Sequence, residues 1–246
     1  MPLLELQGIS KHFGAIEALK GIDLAIDAGE VVGLMGDNGA GKSTLVKIVA
    51  GNFLPSEGEL RLDGIVKHFR RPVDARTDGI EVVYQDLALC DNLTAAANVF
   101  LGRELKRRIG PLVILDYKAM YARAAELFKE LKSETRPRDL VKLMSGGQRQ
   151  AVAIARTRLA NAKMVLMDEP TAAISVRQVA EVLDLIHRLK DRGIAVVLIS
   201  HRMPDVFSVC DRVVVMRRGR KVADKAIASS SPEEVTGLIT GAIQAA

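Results

Sequence analysis

Short β-branched runs alternate with helical stretches along the chain. Runs at residues 3–7, 22–26, 31–35, 59–62, 80–84, 164–167, 194–199, 212–216 and 221–224 predict strands. Apolar residues at helical spacing predict helices over 42–50, 116–131, 147–159, 176–192, 204–209 and 232–240. Two strands, MVLM before Asp168 and IAVVLIS before His201, are nearly unbroken apolar runs. Such runs suit the centre of a parallel sheet covered on both faces. The early strands lie closer together and read as antiparallel. Between residues 86 and 144 the pattern turns mainly helical, broken by the basic, Gly/Pro-marked stretch ELKRRIGPL, which reads as a surface loop. The expectation is an α/β fold: a three-layer core with an N-terminal antiparallel β subdomain and an inserted α-helical lobe. Residues 1–246 read as one domain, with 1–85 and 160–246 forming the core and β subdomain and 86–159 the lobe.

The chemistry is concentrated in residues 36–44, Gly36-Asp37-Asn38-Gly39-Ala40-Gly41-Lys42-Ser43-Thr44, which satisfy G-x-x-x-x-G-K-[ST] between a strand and a helix. Glycines let the backbone wrap phosphates with its N–H groups exposed, and the helix N-terminus adds its dipole. Lys42 is expected to reach the β- and γ-phosphates, and Ser43 to ligate Mg²⁺. The pattern occurs once, so one nucleotide site per chain is expected. Asp168 ends an apolar strand, where it would hold the Mg²⁺ of ATP through its hydration shell. Glu169 follows and could polarise an attacking water. Ser145 and Gln148 stand in S-x-x-Q spacing, a capping box at the start of a helix. Gly146 and Gly147 leave backbone N–H groups there open to an anion.

Composition narrows the surroundings of this site. The chain is 48% hydrophobic and 26% charged, which excludes general disorder and permits a sizeable core built from aliphatic residues, since aromatics make up 4%. No apolar run is long enough to span a bilayer, and MPLLELQGIS lacks the pattern of a secretory signal. Cys90 and Cys210 are expected to be reduced, structural thiols, and the chain to be cytoplasmic. Its net charge of +5 favours anionic partners. The basic clusters at 67–71, 103–108 and 217–221 read either as solvated surface or as contacts for such partners. With Phe69 the one aromatic among them, no nucleic-acid partner is expected.

LMSGGQRQ at 143–150 resembles the LSGGQ signature of ATP-binding cassette (ABC) ATPases, a branch of the phosphate-loop (P-loop) NTPases. Other motifs of that family follow in order. Tyr84-Gln85-Asp86 resembles its Gln loop, Asp168-Glu169-Pro170-Thr171 the end of its second phosphate motif, and Ser200-His201 its switch histidine. Ser10-Lys11-His12-Phe13-Gly14 resembles the loop whose aromatic, here Phe13, stacks on adenine. The resemblance covers essentially the whole chain and implies a catalytic set of Glu169, His201 and Gln85, with Ser43, Gln85 and Asp168 at the metal. It implies a head-to-tail homodimer enclosing two ATP molecules, with Ser145, Gly146, Gly147 and Gln148 acting in trans on the partner's phosphates. One departure stands out: the family's loop after the second phosphate motif usually ends in Asp, and here Ser175 stands there.

EPTAA with that non-acidic residue, together with GDNGAGKSTLVKIVAG and ISHRMPDVF, resembles the ATPases of bacterial monosaccharide importers of the fructose/ribose/xylose type. That likeness implies two copies of this chain on the cytoplasmic side of the inner membrane, two permease subunits, and a periplasmic sugar-binding protein acting indirectly. The permease would dock along residues 86–108. Leu87, Leu89, Leu93, Val99 and Phe100 there could line a groove or fill the lobe's core. An exporter ATPase and a non-transport ABC ATPase are the alternative readings.

Overall fold

The computed structural model describes residues 1–83, 89–131, 133–158, 162–172 and 175–243. Its strands are β1 (Leu4–Phe13), β2 (Ile16–Ile26), β3 (Val31–Gly36), β4 (Glu57–Leu62), β5 (Ile65–Lys67), β6 (Ile80–Val83), β7 (Lys106–Ile109), β8 (Leu112–Leu115), β9 (Met164–Asp168), β10 (Ala195–Ile199), β11 (Arg212–Arg217) and β12 (Arg220–Ala226). Its α-helices are α1 (Lys42–Val49), α2 (Pro72–Thr77), α3 (Ala95–Val99), α4 (Tyr117–Glu130), α5 (Gly146–Arg158), α6 (Val176–Lys190), α7 (Met203–Val209) and α8 (Pro232–Thr240). None of the described helices is long and apolar enough to cross a membrane.

The apolar runs form the sheet they predict. A six-stranded sheet has the order β12-β11-β3-β10-β9-β6, parallel except for β12. Val31, Val32, Leu34 and Met35 of β3 are buried, as is all of β10, because helices cover both faces. Burying each such side chain contributes about 1.5–3 kcal/mol. The α6 helix turns Val179, Val182, Leu185, Ile186 and Leu189 inward, a stripe at helical spacing. The antiparallel subdomain is a second sheet, β2-β1-β4-β5.

Residues 95–155 add a helical cluster in which Val99 and Phe100 near α3, Met120, Ala124, Leu127 and Phe128 of α4, and Val152 and Ala155 of α5 pack together. Val99 and Phe100 are at most 2% exposed, so of the two readings the sequence leaves open they follow core packing. Leu89 and Leu93 are half-buried, and Leu87 lies outside the described residues. The opposite side of α5 belongs to the main core, where Ala153 and Ile154 meet Met167 and Val182. Thus α5 is the joint between lobe and sheet.

Three local expectations change. ELKRRIGPL is not an irregular loop: it lies largely in β7 and β8, an antiparallel hairpin closed by a Gly110-Pro111 turn. The first hairpin is longer than the pattern suggests, running to Phe13 and back from Ile16, with register shifts after Leu6, Ile9 and Lys11. Those shifts break the in/out alternation that would have marked its outer half. Short α2 and α3 are also present, each too brief to show a helical period. Both cysteines are free; burial and the nearby Asp211 push the Cys210 thiol up to about 12, consistent with an inert structural role.

Candidate functional site

The parallel register gathers the phosphate loop and the acidic pair at one edge. Ile199 lies level with Leu34 on one side and with Asp168 on the other, so the carboxyl ends of β3, β10 and β9 finish together. Ligand sites in open α/β sheets form at such edges. Gly36 leaves β3 at φ 153°, where an added Cβ would lie 2.3 Å from the Met216 carbonyl oxygen. The loop then turns into α1 through Gly41, an N-cap without a side chain, which leaves the first N–H groups of α1 free for an acceptor.

Lys42 folds back over this loop. Its Nζ donates to the Gly36 carbonyl at 2.7 Å and the Asp37 carbonyl at 3.0 Å. Burial lowers its pKa, against the pull of Glu169, Asp168 and Asp37. Asp168 is half-buried, and its pKa is raised by desolvation and then by Glu169, while Lys42 and Lys47 oppose the rise. Glu169 has φ 49°, an uncommon conformation for a residue with a side chain, held by its N–H donating 2.9 Å to the Ile199 carbonyl. His201 Nδ1 lies 2.8 Å from Glu169 Oε2, within ion-pair range. The contact lacks hydrogen-bond geometry, so this buried carboxylate oxygen keeps no donor.

Mg²⁺ fits these donors. A half-buried carboxylate that resists ionisation, a second carboxylate with an orphaned oxygen, and the Ser43 hydroxyl are hard oxygen groups. Among the described residues no cluster of three His, Cys, Asp or Glu side chains could hold a metal. Mg²⁺ needs none, because it binds through one or two carboxylates together with phosphate oxygens. Gln85, also expected there, lies outside the described residues, as do Tyr84 and Asp86. Phe13 ends β1 with 42% of its surface exposed, edge-to-face against Phe53 at 5.3 Å between centroids, with Lys11 Nζ 5.3 Å from its ring centre.

The Ser145–Gln148 segment stands apart. Its capping box is formed: the Ser145 N–H donates to Gln148 Oε1 at 3.0 Å, and the Gln148 N–H to Ser145 Oγ at 3.4 Å. Ser145, Gly147 and Gln148 open onto a cleft of about 550 Å³ between α5 and α6, and no residue of 36–44 lines it. Within one chain the structure therefore gathers Lys42, Asp168, Glu169 and His201, and leaves Ser145, Gly147 and Gln148 facing a different cleft.

Two glutamines that the sequence did not single out connect the parts. Gln150 of α5, 4% exposed, donates through Nε2 to the Pro170 carbonyl at 2.8 Å, tying the lobe to the residue after Glu169. Gln178 caps α6: its Oε1 accepts from the Ser175 N–H and Oγ, both at 2.9 Å, and its own N–H reaches Ser175 Oγ at 3.4 Å. Ser175 is thus an N-cap, a task a serine performs as well as an aspartate. The S-x-x-Q spacing of residues 145–148 recurs at 175–178, a signal that could have found this cap. The Gln178 amide also packs on the signature backbone, 2.8 Å from where a Cβ on Gly147 would stand.

Gly147→Ala must therefore shift the Gln178 amide and loosen its bond to the Ser175 N–H, at a cost of up to about 1 kcal/mol, or at most roughly 2–4 °C in Tm for a chain of this size. Gln178→Ala removes that bond by itself, leaves the Ser175 Oγ cap on the backbone N–H of residue 178, and relieves the clash. Melting curves of both single variants and the double variant are expected to show the double costing clearly less than the sum. Full additivity would mean that Gly147 and Gln178 do not act on each other.

Comparison with known proteins gives the family. Residues 19–172 match the family model described as ABC transporter. The chain is 44% identical, over 97% of its length and 94% of the relative, to the xylose/arabinose import ATP-binding protein of Sulfolobus acidocaldarius. It is 40% identical to the ribose import ATP-binding protein of Geobacillus kaustophilus over 97% of the chain, but spans only 48% of that relative. It superposes with TM-score 0.76 and 28% identity on a dimeric ATP-binding cassette bound to ADP and phosphate, covering 91% of this chain and 98% of that one. The chain belongs to the ABC transporter family, and is one of its ATPase subunits.

Proposed function

We propose that this ATPase powers a monosaccharide importer, with two copies of the chain closing head-to-tail on two ATP molecules. The observation that carries the reading is the convergence of Lys42, Asp168, Glu169 and His201 at the carboxyl edge of the sheet, with Ser145–Gln148 facing elsewhere. A site so divided is completed by a second copy. The sugar-import names of the relatives, one of them almost fully spanned by this chain, support the cargo class.

In this reading Phe13 packs against adenine, while the N–H groups of residues 36–44 and Lys42 bind the β- and γ-phosphates. Ser43 and Asp168 would hold Mg²⁺, joined by Gln85, and the ion would offset the negative charge on the phosphate oxygens. Glu169 accepts a proton from the water that attacks the γ-phosphorus as the bond to the ADP oxygen breaks. His201, beside Glu169, hydrogen-bonds the γ-phosphate or the water. Residues 145–148 of the second copy bring a second helix N-terminus to the γ-phosphate. Closure would pull on two permease subunits docked along residues 86–108, with the chain peripheral on the cytoplasmic side and a periplasmic binding protein delivering the sugar.

Reconstituting the chain in vesicles with the permease and binding protein encoded beside it tests the cargo and direction. ATP hydrolysis is expected to rise several-fold when a sugar-loaded binding protein is supplied on the face opposite the ATPase, with sugar accumulating on the ATPase side. Stimulation by a solute on the ATPase side and its extrusion would establish an exporter instead.

A further inference from the structure

The chain's basic clusters differ in how their charge is used. Lys67 pairs with Asp78 at 2.8 Å, Arg103 with the buried Glu81, and Lys221 with Asp224 at 3.4 Å. Among the described residues no carboxylate lies within ion-pair distance of Arg70, Arg217, Arg218 or Arg220, nor of Lys106, Arg107 and Arg108, and only these last three stand in an unbroken run of three. Residues 105–115 contain no Asp or Glu. The neighbouring Glu104 carboxylate accepts from the Gly102 N–H at 3.0 Å and feels the Lys106 charge only from beyond ion-pair distance.

These three cations lie on the β7–β8 hairpin, where both strands are exposed apart from the half-buried Leu115. Its pairs, counted from the turn, are Ile109–Leu112, Arg108–Val113, Arg107–Ile114 and Lys106–Leu115. Ile109 is 51% exposed, Leu112 64% and Val113 55%. A two-stranded hairpin with no core of its own is marginal in water, so this much aliphatic surface calls for a covering phase.

We propose that the β7–β8 hairpin is a membrane-surface contact that takes anionic lipid headgroups. The order of residues along it decides between lipid and a protein groove. The tip is aliphatic, and the cations begin one residue behind it and continue for three positions. At about 3.3 Å per residue they lie roughly 3–10 Å back from the tip. That spacing matches an apolar edge at the acyl boundary with cations level with the phosphates, the arrangement that holds interfacial segments on anionic bilayers. Arg107 shares a face with Ile109, Leu112 and Ile114, and its long stem can lie along them while the guanidinium stays at the headgroups. A protein groove would impose no such ordering by depth. This contact gives Lys106, Arg107 and Arg108, the end of the 86–108 segment proposed above for the permease, to lipid instead, and it is tested on the isolated chain.

The test is co-sedimentation of the purified full chain with vesicles of phosphatidylcholine alone or mixed with phosphatidylglycerol. Wild type is expected to bind the anionic vesicles, with affinity falling as salt rises. Lys106→Gln/Arg107→Gln/Arg108→Gln should weaken binding by about fivefold per cation, roughly a hundredfold in all. Ile109→Ser/Leu112→Ser should weaken it by about tenfold or more without changing the salt dependence. Both variants, as isolated chains without permease, should keep the wild-type Tm and ATP affinity, which separates a surface contact from misfolding. Equal binding to both vesicle types, or anionic binding retained by the triple variant, would overturn the proposal. So would a wild type that binds no vesicles and a triple variant that fails to assemble with its permease in detergent, because the hairpin would then be a protein contact.

Discussion

Glu169→Gln is expected to lower the ATP hydrolysis rate by about 10²–10⁴-fold, the span assigned to a positioned general base. Gln keeps the size of Glu and the backbone bond to the Ile199 carbonyl, so the turn at φ 49° is not disturbed. Its amide, however, cannot take the proton of the attacking water. Removing a negative charge beside the γ-phosphate also favours retention of ATP, so bound nucleotide should accumulate unhydrolysed. Phosphate release measured beside filter-retained ATP separates the two effects. Undiminished release would remove Glu169 from the role given to it here.

Lys42→Ala is expected to weaken ATP binding by about a hundredfold, with a smaller loss for ADP. A buried cation in contact with phosphate contributes a few kcal/mol when its partner charge would otherwise be left unpaired. Lys42 is held by the carbonyls of Gly36 and Asp37, which keep its ammonium at the loop's mouth although burial disfavours the charge. Its removal frees two carbonyls at a partly exposed surface, where water can replace the bonds, so the fold should survive. Titration calorimetry with a circular dichroism control measures this. Wild-type affinity in a folded variant would remove the phosphate-loop assignment.

The reasons that parts of this molecule were readable lie in where each constraint acts. Residues 36–44 stand out in the sequence because a phosphate cradle forces glycine, lysine and serine into one short stretch. The central strands were equally plain, since burial on both faces leaves only apolar residues. The β7–β8 hairpin was not: both of its faces are exposed, so no in/out alternation marks it as a strand. Gln150 was invisible for another reason. A glutamine on a helix is ordinarily solvated, and only the approach of Pro170 gives it a task; for Gln178 the spacing to Ser175 carries the cap, but not the packing on Gly147. Ser175 was legible as a departure from a family pattern, while its task as the cap of α6 emerged only with Gln178 beside it.

The claim on which the rest depends is that the active unit is two chains, with residues 145–148 of one completing the phosphate site of the other. Multi-angle light scattering on the Glu169→Gln protein, with and without ATP and Mg²⁺, tests it most directly. A particle of twice the 26.6 kDa chain mass is expected with ATP, and the single mass without it. A single-chain mass at saturating ATP, with wild-type turnover per chain independent of protein concentration, would contradict it.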